Sequence, residues 1–233
     1  YFLLSHLAFS DISLSCVTVP KMLMNMQTQQ QSIPYVGCIS QLYLFILFAT
    51  LDNFLLAVTA YDRYVAICHP LHYTTIMREG LCALLVSSSW ITTCAHALLH
   101  TLLLVQLSFC ANNVITHFFC DPTVLLKLSC SDISLNELVI LSEGGMVFFP
   151  PLAIVLGSYI HIGVIILRAP STKIFLKAFS TCGSHLFVVS LYYGTSAGVY
   201  FLSSSRDSKD VIASVMYTVV TPMLNPLIYT LRN

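Results

Sequence analysis

Charge is what this sequence has least of. Only 9% of its 233 residues are charged, 10 acidic and 10 basic, where an ordinary soluble domain of this length would carry about 58. So few charges cannot cover a globule, and a mean hydropathy of +0.82 shows that apolar surface takes their place. The natural solvent for most of the chain is lipid. With a formal net charge of +0 and no clustered basic face, the sequence offers nothing to phosphates, and nucleic acid is excluded as a partner. An apolar content of 57% excludes disorder. Gly-rich phosphate loops, an HExxH helix and a GxSxG elbow are all missing, so the chain does not read as an enzyme. Linkers, internal repeats and low-complexity blocks are missing too, which leaves one domain over residues 1–233.

What is there is a series of long apolar runs. Six are long enough to cross about 30 Å of hydrocarbon, at residues 1–24, 41–68, 81–104, 138–167, 176–202 and 211–231. The expected fold is all-α, a multi-pass transmembrane helical bundle. The first run starts at residue 1 without a polar flank, and the last ends at Leu231-Arg232-Asn233. The chain therefore reads as a fragment. Arg63, Arg78, Arg168, Lys173, Lys177 and Arg232 fall on one side of the membrane, and Lys21, Lys127, Arg206 and Lys209 on the other. The larger basic set is assigned to the cytoplasm.

Cys38, Cys110, Cys120 and Cys130 all fall on the outer, oxidising side, three of them in the long connection between residues 105 and 136. Four cysteines allow three connectivities, and spacing does not choose among them. Cys16, Cys68, Cys82, Cys94 and Cys182 lie in or beside spans and read as small buried hydrophobes. His96 and His100 stand one helical turn apart and could share a metal. The chain has Ala97 where a zinc protease needs glutamate, and packing or interfacial hydrogen bonding is the plainer reading.

Asp11 and Asp52 sit midway along the first two spans. Each would cost about 2.5–3.5 kcal/mol if left charged and alone in the bilayer, so both should face the bundle interior. There they could share a cation or a proton, or pair with Asn53 and Asn225. Glu143 lies nearer the outer end of its span, within reach of water or a ligand. Two strings are more specific. One runs Ala60-Tyr61-Asp62-Arg63-Tyr64-Val65-Ala66-Ile67-Cys68-His69-Pro70-Leu71 at a membrane boundary. The other is Pro222-Met223-Leu224-Asn225-Pro226-Leu227-Ile228-Tyr229, with two prolines inside a helix, where each removes a hydrogen bond and permits a kink.

Together with Pro20-Lys21-Met22-Leu23, Leu71-His72-Tyr73, Ser158-Tyr159 and the run from Lys177 through Ala178-Phe179-Ser180-Thr181-Cys182-Gly183-Ser184 to His185, these strings resemble the odorant (olfactory) receptors, rhodopsin-like class A G-protein-coupled receptors. The resemblance covers essentially the whole chain. It departs from the family pattern at Thr59, usually Met, at Asp52, more often Glu, and at Ile174-Phe175-Leu176, usually more polar.

The resemblance implies that the six runs are helices two to seven of a seven-helix receptor. It implies disulfides joining Cys38 to Cys120 and Cys110 to Cys130, which would hold the loop as a lid. It places a ligand pocket at Leu42, Phe45, Ile46, Ala49, Thr50, Glu143, Val147, Tyr193, Ser196, Ala197, Tyr200, Val215 and Thr218. Asp62, Arg63, Tyr64, Tyr159, Lys177, Asn225, Pro226 and Tyr229 would form the G-protein coupling switch, with Arg63 paired to Asp62 at rest. Asp11, Asp52 and Asn225 would form a polar centre able to hold sodium, and no other cofactor is implied. The implied partners are a small volatile odorant, a stimulatory heterotrimeric G protein of the olfactory type and the lipid bilayer. The implied location is the plasma membrane of olfactory cilia. Rival readings are a class A receptor for a peptide or amine, an ion-coupled transporter, which would also bury acids at midplane, and a decayed copy without activity.

Overall fold

A computed structural model of the chain describes residues 2–28, 33–109, 120–168 and 172–198. Among them lie seven α-helices: α1 (Phe2–Thr28), α2 (Tyr35–Cys68), α3 (Tyr73–Ile76), α4 (Glu79–Val105), α5 (Pro122–Leu128), α6 (Ser134–Leu167) and α7 (Thr172–Ala197). A single 3-10 turn, Pro70–His72, joins α2 to α3. Phe109 and Ser129 form an isolated antiparallel bridge in the outer loop.

The helices outrun the apolar stretches that predict them. α2 begins at Tyr35 rather than at residue 41, directly after Pro34, whose φ of −61° and ψ of 144° are extended and whose carbonyl accepts the Cys38 N–H at 2.9 Å. α6 begins at Ser134, where the Asp132 carboxylate accepts the Ser134 N–H at 2.9 Å. Hydrogen bonding carries a helix on past the lipid boundary, whereas hydropathy marks only the lipid. At 34 residues each, α2 and α6 are about 51 Å long, well beyond the hydrocarbon core. Segments Phe2–Asn25, Tyr35–Cys68, Glu79–Val105 and Ser134–Leu167 are long and apolar enough to cross a membrane. The expected span at 211–231 lies outside the described residues.

α2 is the axle of the bundle. It packs most extensively against α6, α1 and α4, and it also meets α7. Leu42, Phe45, Leu51, Leu55, Leu56 and Ala60 are buried all round it. The outer helices turn large apolar side chains away from the core, among them Phe9, Ile12, Leu84, Ile91, Leu98, Leu141 and Ile160. A soluble protein does the reverse; here lipid is the solvent. Phe9, Phe48 and Trp90 join α1, α2 and α4 through ring centroids 6.2–6.3 Å apart.

Without water, each polar group must find a partner inside the bundle. Hydroxyls find one on their own helix: Thr18 donates to the Leu14 carbonyl at 3.1 Å, Thr59 to Leu55 at 2.8 Å and Thr101 to Ala97 at 2.7 Å. Pro151, inside α6, has no N–H to give the Val147 carbonyl four residues back. The Asn53 amide of α2 takes that place, donating to the Val147 carbonyl at 2.8 Å. Its own oxygen accepts the Tyr193 hydroxyl of α7 at 2.5 Å. One side chain thus joins three helices. Replacing it in Asn53→Leu should destabilise the bundle by about 1–2 kcal/mol, because both partners are left unpaired in an apolar interior. Denaturation of the two proteins in bicelles measures the difference, and equal midpoints would show that the linkage carries no stability.

Candidate functional site

The outer end is tied together covalently. Cys38, in the first turn of α2, is joined to Cys120 with Cα atoms 5.4 Å apart. Gln41, one turn further in, donates to the Val17 carbonyl of α1 at 3.0 Å and accepts the Cys120 N–H at 3.2 Å. It pins the disulfide to two helices. Sequence reasoning passed over Gln41, although a lone amide in an apolar span is itself a signal that a partner must exist. Cys130 is also disulfide-bonded; Cys110, its expected partner, lies outside the described residues. The loop end is further held by Cys130 N–H donating to the Ser108 carbonyl at 3.0 Å and by Ser108 N–H donating to Ser131 Oγ at 2.8 Å.

Beneath the disulfide, Leu42, Phe45, Ile46, Ala49 and Thr50 are all buried along α2, facing the bundle. Tyr193 and Ser196 of α7 are buried, while Ala197, Glu143 and Val147 are half-buried. The structure brings part of this set together. Tyr192 donates to the Ala49 carbonyl at 2.8 Å, Tyr193 bonds to Asn53, and Asn53 bonds to Val147. Phe148 packs edge-on against Tyr193 at 5.3 Å. Tyr200, Val215 and Thr218 lie outside the described residues. A groove of about 430 Å³ opens elsewhere, on the side of the bundle between α2, α4 and α6, lined by Phe54, Tyr61, Leu85, Ser88, Pro150 and Ile154 among others. None of the expected ligand residues lines it.

At mid-depth, Asp11 and Asp52 are buried, 0% and 1% exposed. Ser10 donates to the Phe48 carbonyl at 3.2 Å and is also a hydrogen-bonding neighbour of the Asp52 carboxyl. The two acids therefore share one layer of the α1–α2 contact. One Asp52 oxygen, Oδ1, has no hydrogen-bond partner. Two carboxyl groups, one of them with an unpaired oxygen, and a hydroxyl are oxygen ligands of the kind a hard cation takes. Asn53 does not join this centre, since both ends of its amide are engaged by α6 and α7. Asn225 lies outside the described residues.

At the inner end the expected resting pair is not formed. Asp62 accepts the Tyr73 hydroxyl at 2.8 Å, and among the described residues it makes no ion pair with Arg63, whose Nε is buried without a hydrogen-bond partner. The reason is helical geometry: neighbouring residues point about 100° apart and do not face each other. Tyr159 of α6 is hydrogen-bonded to His185 Nδ1 of α7 at 2.6 Å. Arg63 acts on both of them electrostatically. Tyr64 pairs with His69 at 3.2 Å and packs against His161 at 5.7 Å. Lys177 lies in α7, with its side chain outside the described set; Pro226 and Tyr229 are outside it altogether.

A conserved-family model described as "Olfactory receptor" matches residues 1–233, the whole chain. The chain belongs to the olfactory receptor family. Olfactory receptor 1J4 of Homo sapiens is 71% identical over 235 residues, covering 100% of this chain and 75% of that protein. Olfactory receptor 1J21 of Mus musculus is 61% identical over the same share of both. The crystal structure of squid rhodopsin shares the fold, with a TM-score of 0.72 over 100% of this chain and 71% of that one at 15% identity. The protein is thus a membrane-spanning G-protein-coupled receptor and not an enzyme, and the non-olfactory and transporter readings give way to this one.

In this olfactory receptor, Tyr73 carries the clearest electrostatic signature outside the membrane. Burial first, and then the bond to Asp62, push its hydroxyl from the usual 10 up to about 12. A phenol whose folded value is raised adds stability that is complete below pH 10 and fades as pH rises towards 12. Tyr73→Phe should lower the thermal midpoint in detergent at pH 7 and cost little at pH 12, where the parent receptor has lost the bond too. Midpoints measured at both pH values check this, and a pH-independent loss would contradict it.

Proposed function

We propose that this receptor binds a small, largely apolar volatile molecule and answers by activating a stimulatory heterotrimeric G protein of the olfactory type, raising cyclic AMP. The supporting observation is the pair of hydrogen bonds from Tyr192 and Tyr193 to Ala49 and Asn53, which tie the expected ligand layer of α2 to α7. The inner part of the same α7 holds His185 against Tyr159 beside Arg63. A ligand seated among Leu42, Phe45, Ile46, Ala49, Thr50, Glu143, Val147, Ser196 and Ala197 would press on those bonds at one end of a helix whose other end abuts the coupling residues.

Affinity would come mainly from desolvation, at about 25 cal/mol per Å² buried, with one or two polar contacts orienting the ligand. Signalling requires that the ligand bind one arrangement of α7 better than the other, because equal affinity shifts nothing. On activation, α7 moves outward, Tyr159 leaves His185, and Arg63, already unpaired from Asp62, meets Tyr159 and the G protein. Lys177, Asn225, Pro226 and Tyr229 belong to this switch by family pattern. A sodium ion, held by Asp11 and Asp52 with Ser10 beside them, would add positive charge that lets both acids stay ionised. The working location is the plasma membrane of olfactory sensory cilia.

Two measurements test this reading. Arg63→Ala, expressed at the cell surface in normal amount, should lower odorant-evoked cyclic AMP at least tenfold, and a normal response would remove Arg63 from coupling. For the cation, replacing sodium by a bulky organic cation should shift the odorant response of the parent receptor, and Asp52→Asn should abolish that shift. A shift of the same size in the variant would exclude Asp52 as its seat.

A further inference from the structure

The ligand reading leaves one cluster of metal-binding side chains unused. His96 and His100 stand one turn apart on α4, and their rings meet edge to face with centroids 4.4 Å apart. His100 is only 8% exposed, and its Nε2 is buried without a hydrogen-bond partner; His96 Nδ1 is buried and unpartnered as well. Unpaired nitrogens on two neighbouring imidazole rings in an apolar bundle are a cost unless something else binds them. Glu143 of α6 lies close enough to act on His100 electrostatically. His100 is five residues from the C-terminal end of α4, about 8 Å of helix.

We infer that His96 and His100 form a two-nitrogen site for a divalent transition-metal ion, with the Glu143 carboxylate balancing its charge. Imidazole pairs suit copper, zinc and nickel, and copper(II) binds most tightly of the divalent series. Among the described residues no three His, Cys, Asp or Glu gather closely enough to make a closed cage. The ion would therefore keep open positions, filled by water. The two imidazoles belong neither to the sodium centre nor to Arg63's switch, and neither is among the expected odorant contacts.

The chain carries its own reporter. Its single tryptophan, Trp90, stands six residues before His96 on the same helix, about 9 Å along the axis, where a bound copper(II) ion quenches fluorescence. Titrating the purified chain in detergent with copper(II) alone should give saturable quenching at one equivalent, and a strong chelator such as EDTA should reverse it. His96→Ala and His100→Ala should each weaken the binding at least tenfold, and Glu143→Gln about threefold. Electron spin-echo spectroscopy of the unsubstituted protein at one equivalent should show two equatorial imidazoles, a readout that needs no variant to fold. Unsaturable quenching, unchanged titration in the double variant, or a spectrum with fewer than two imidazoles would each overturn the assignment.

Discussion

Everything in this bundle follows from one constraint: a polar group in hydrocarbon has no water to fall back on and must be paired by another part of the protein. Most hydroxyls meet that demand locally, on a carbonyl one turn back. Longer polar side chains cannot, and they become the joints between helices. Asn53 is the clearest case. A proline in α6 strips a carbonyl of its partner, an amide on α2 replaces that partner, and a tyrosine on α7 closes the set. Gln41 plays the matching part nearer the surface, between α1 and the disulfide-bound loop.

Both joints sit on α2, the helix with the most buried residues and the one that touches every other long helix described, α1, α4, α6 and α7. This position explains how a small ligand could matter to a large protein. Hydrogen bonds from Asn53 and to Ala49 join α2 directly to α6 and α7. At the inner end the same logic holds Tyr159 to His185 and Asp62 to Tyr73, so Arg63 stands without its neighbouring carboxylate.

Much of the fold was legible in the residue order. The spans showed through hydropathy because lipid demands it. Asp11 and Asp52 were expected inside because exposing them to lipid is costly, and they are buried together. The Cys38–Cys120 bond came from family pattern, not from spacing. Other features were hidden for physical reasons. Asp62 and Arg63 look like a pair when written side by side, but a helix turns them apart. Gln41 and Asn53 gave only half a signal, since a polar residue in a span announces that it needs a partner without saying which.

By itself, then, the order of residues determined the solvent of this protein, the rough placement of its five long described helices, and the depth at which each costly side chain sits, because these depend on local composition and on the fixed rise of a helix; the short α3 and α5 were not among the expected spans. Only the tertiary structure decided the partners: Val147 and Tyr193 for Asn53, Val17 and Cys120 for Gln41, Tyr73 for Asp62, and His185 for Tyr159. Those choices depend on how helices far apart in the chain rotate and cross, and a rotation of one helix by a single residue's angle would exchange every partner it takes part in.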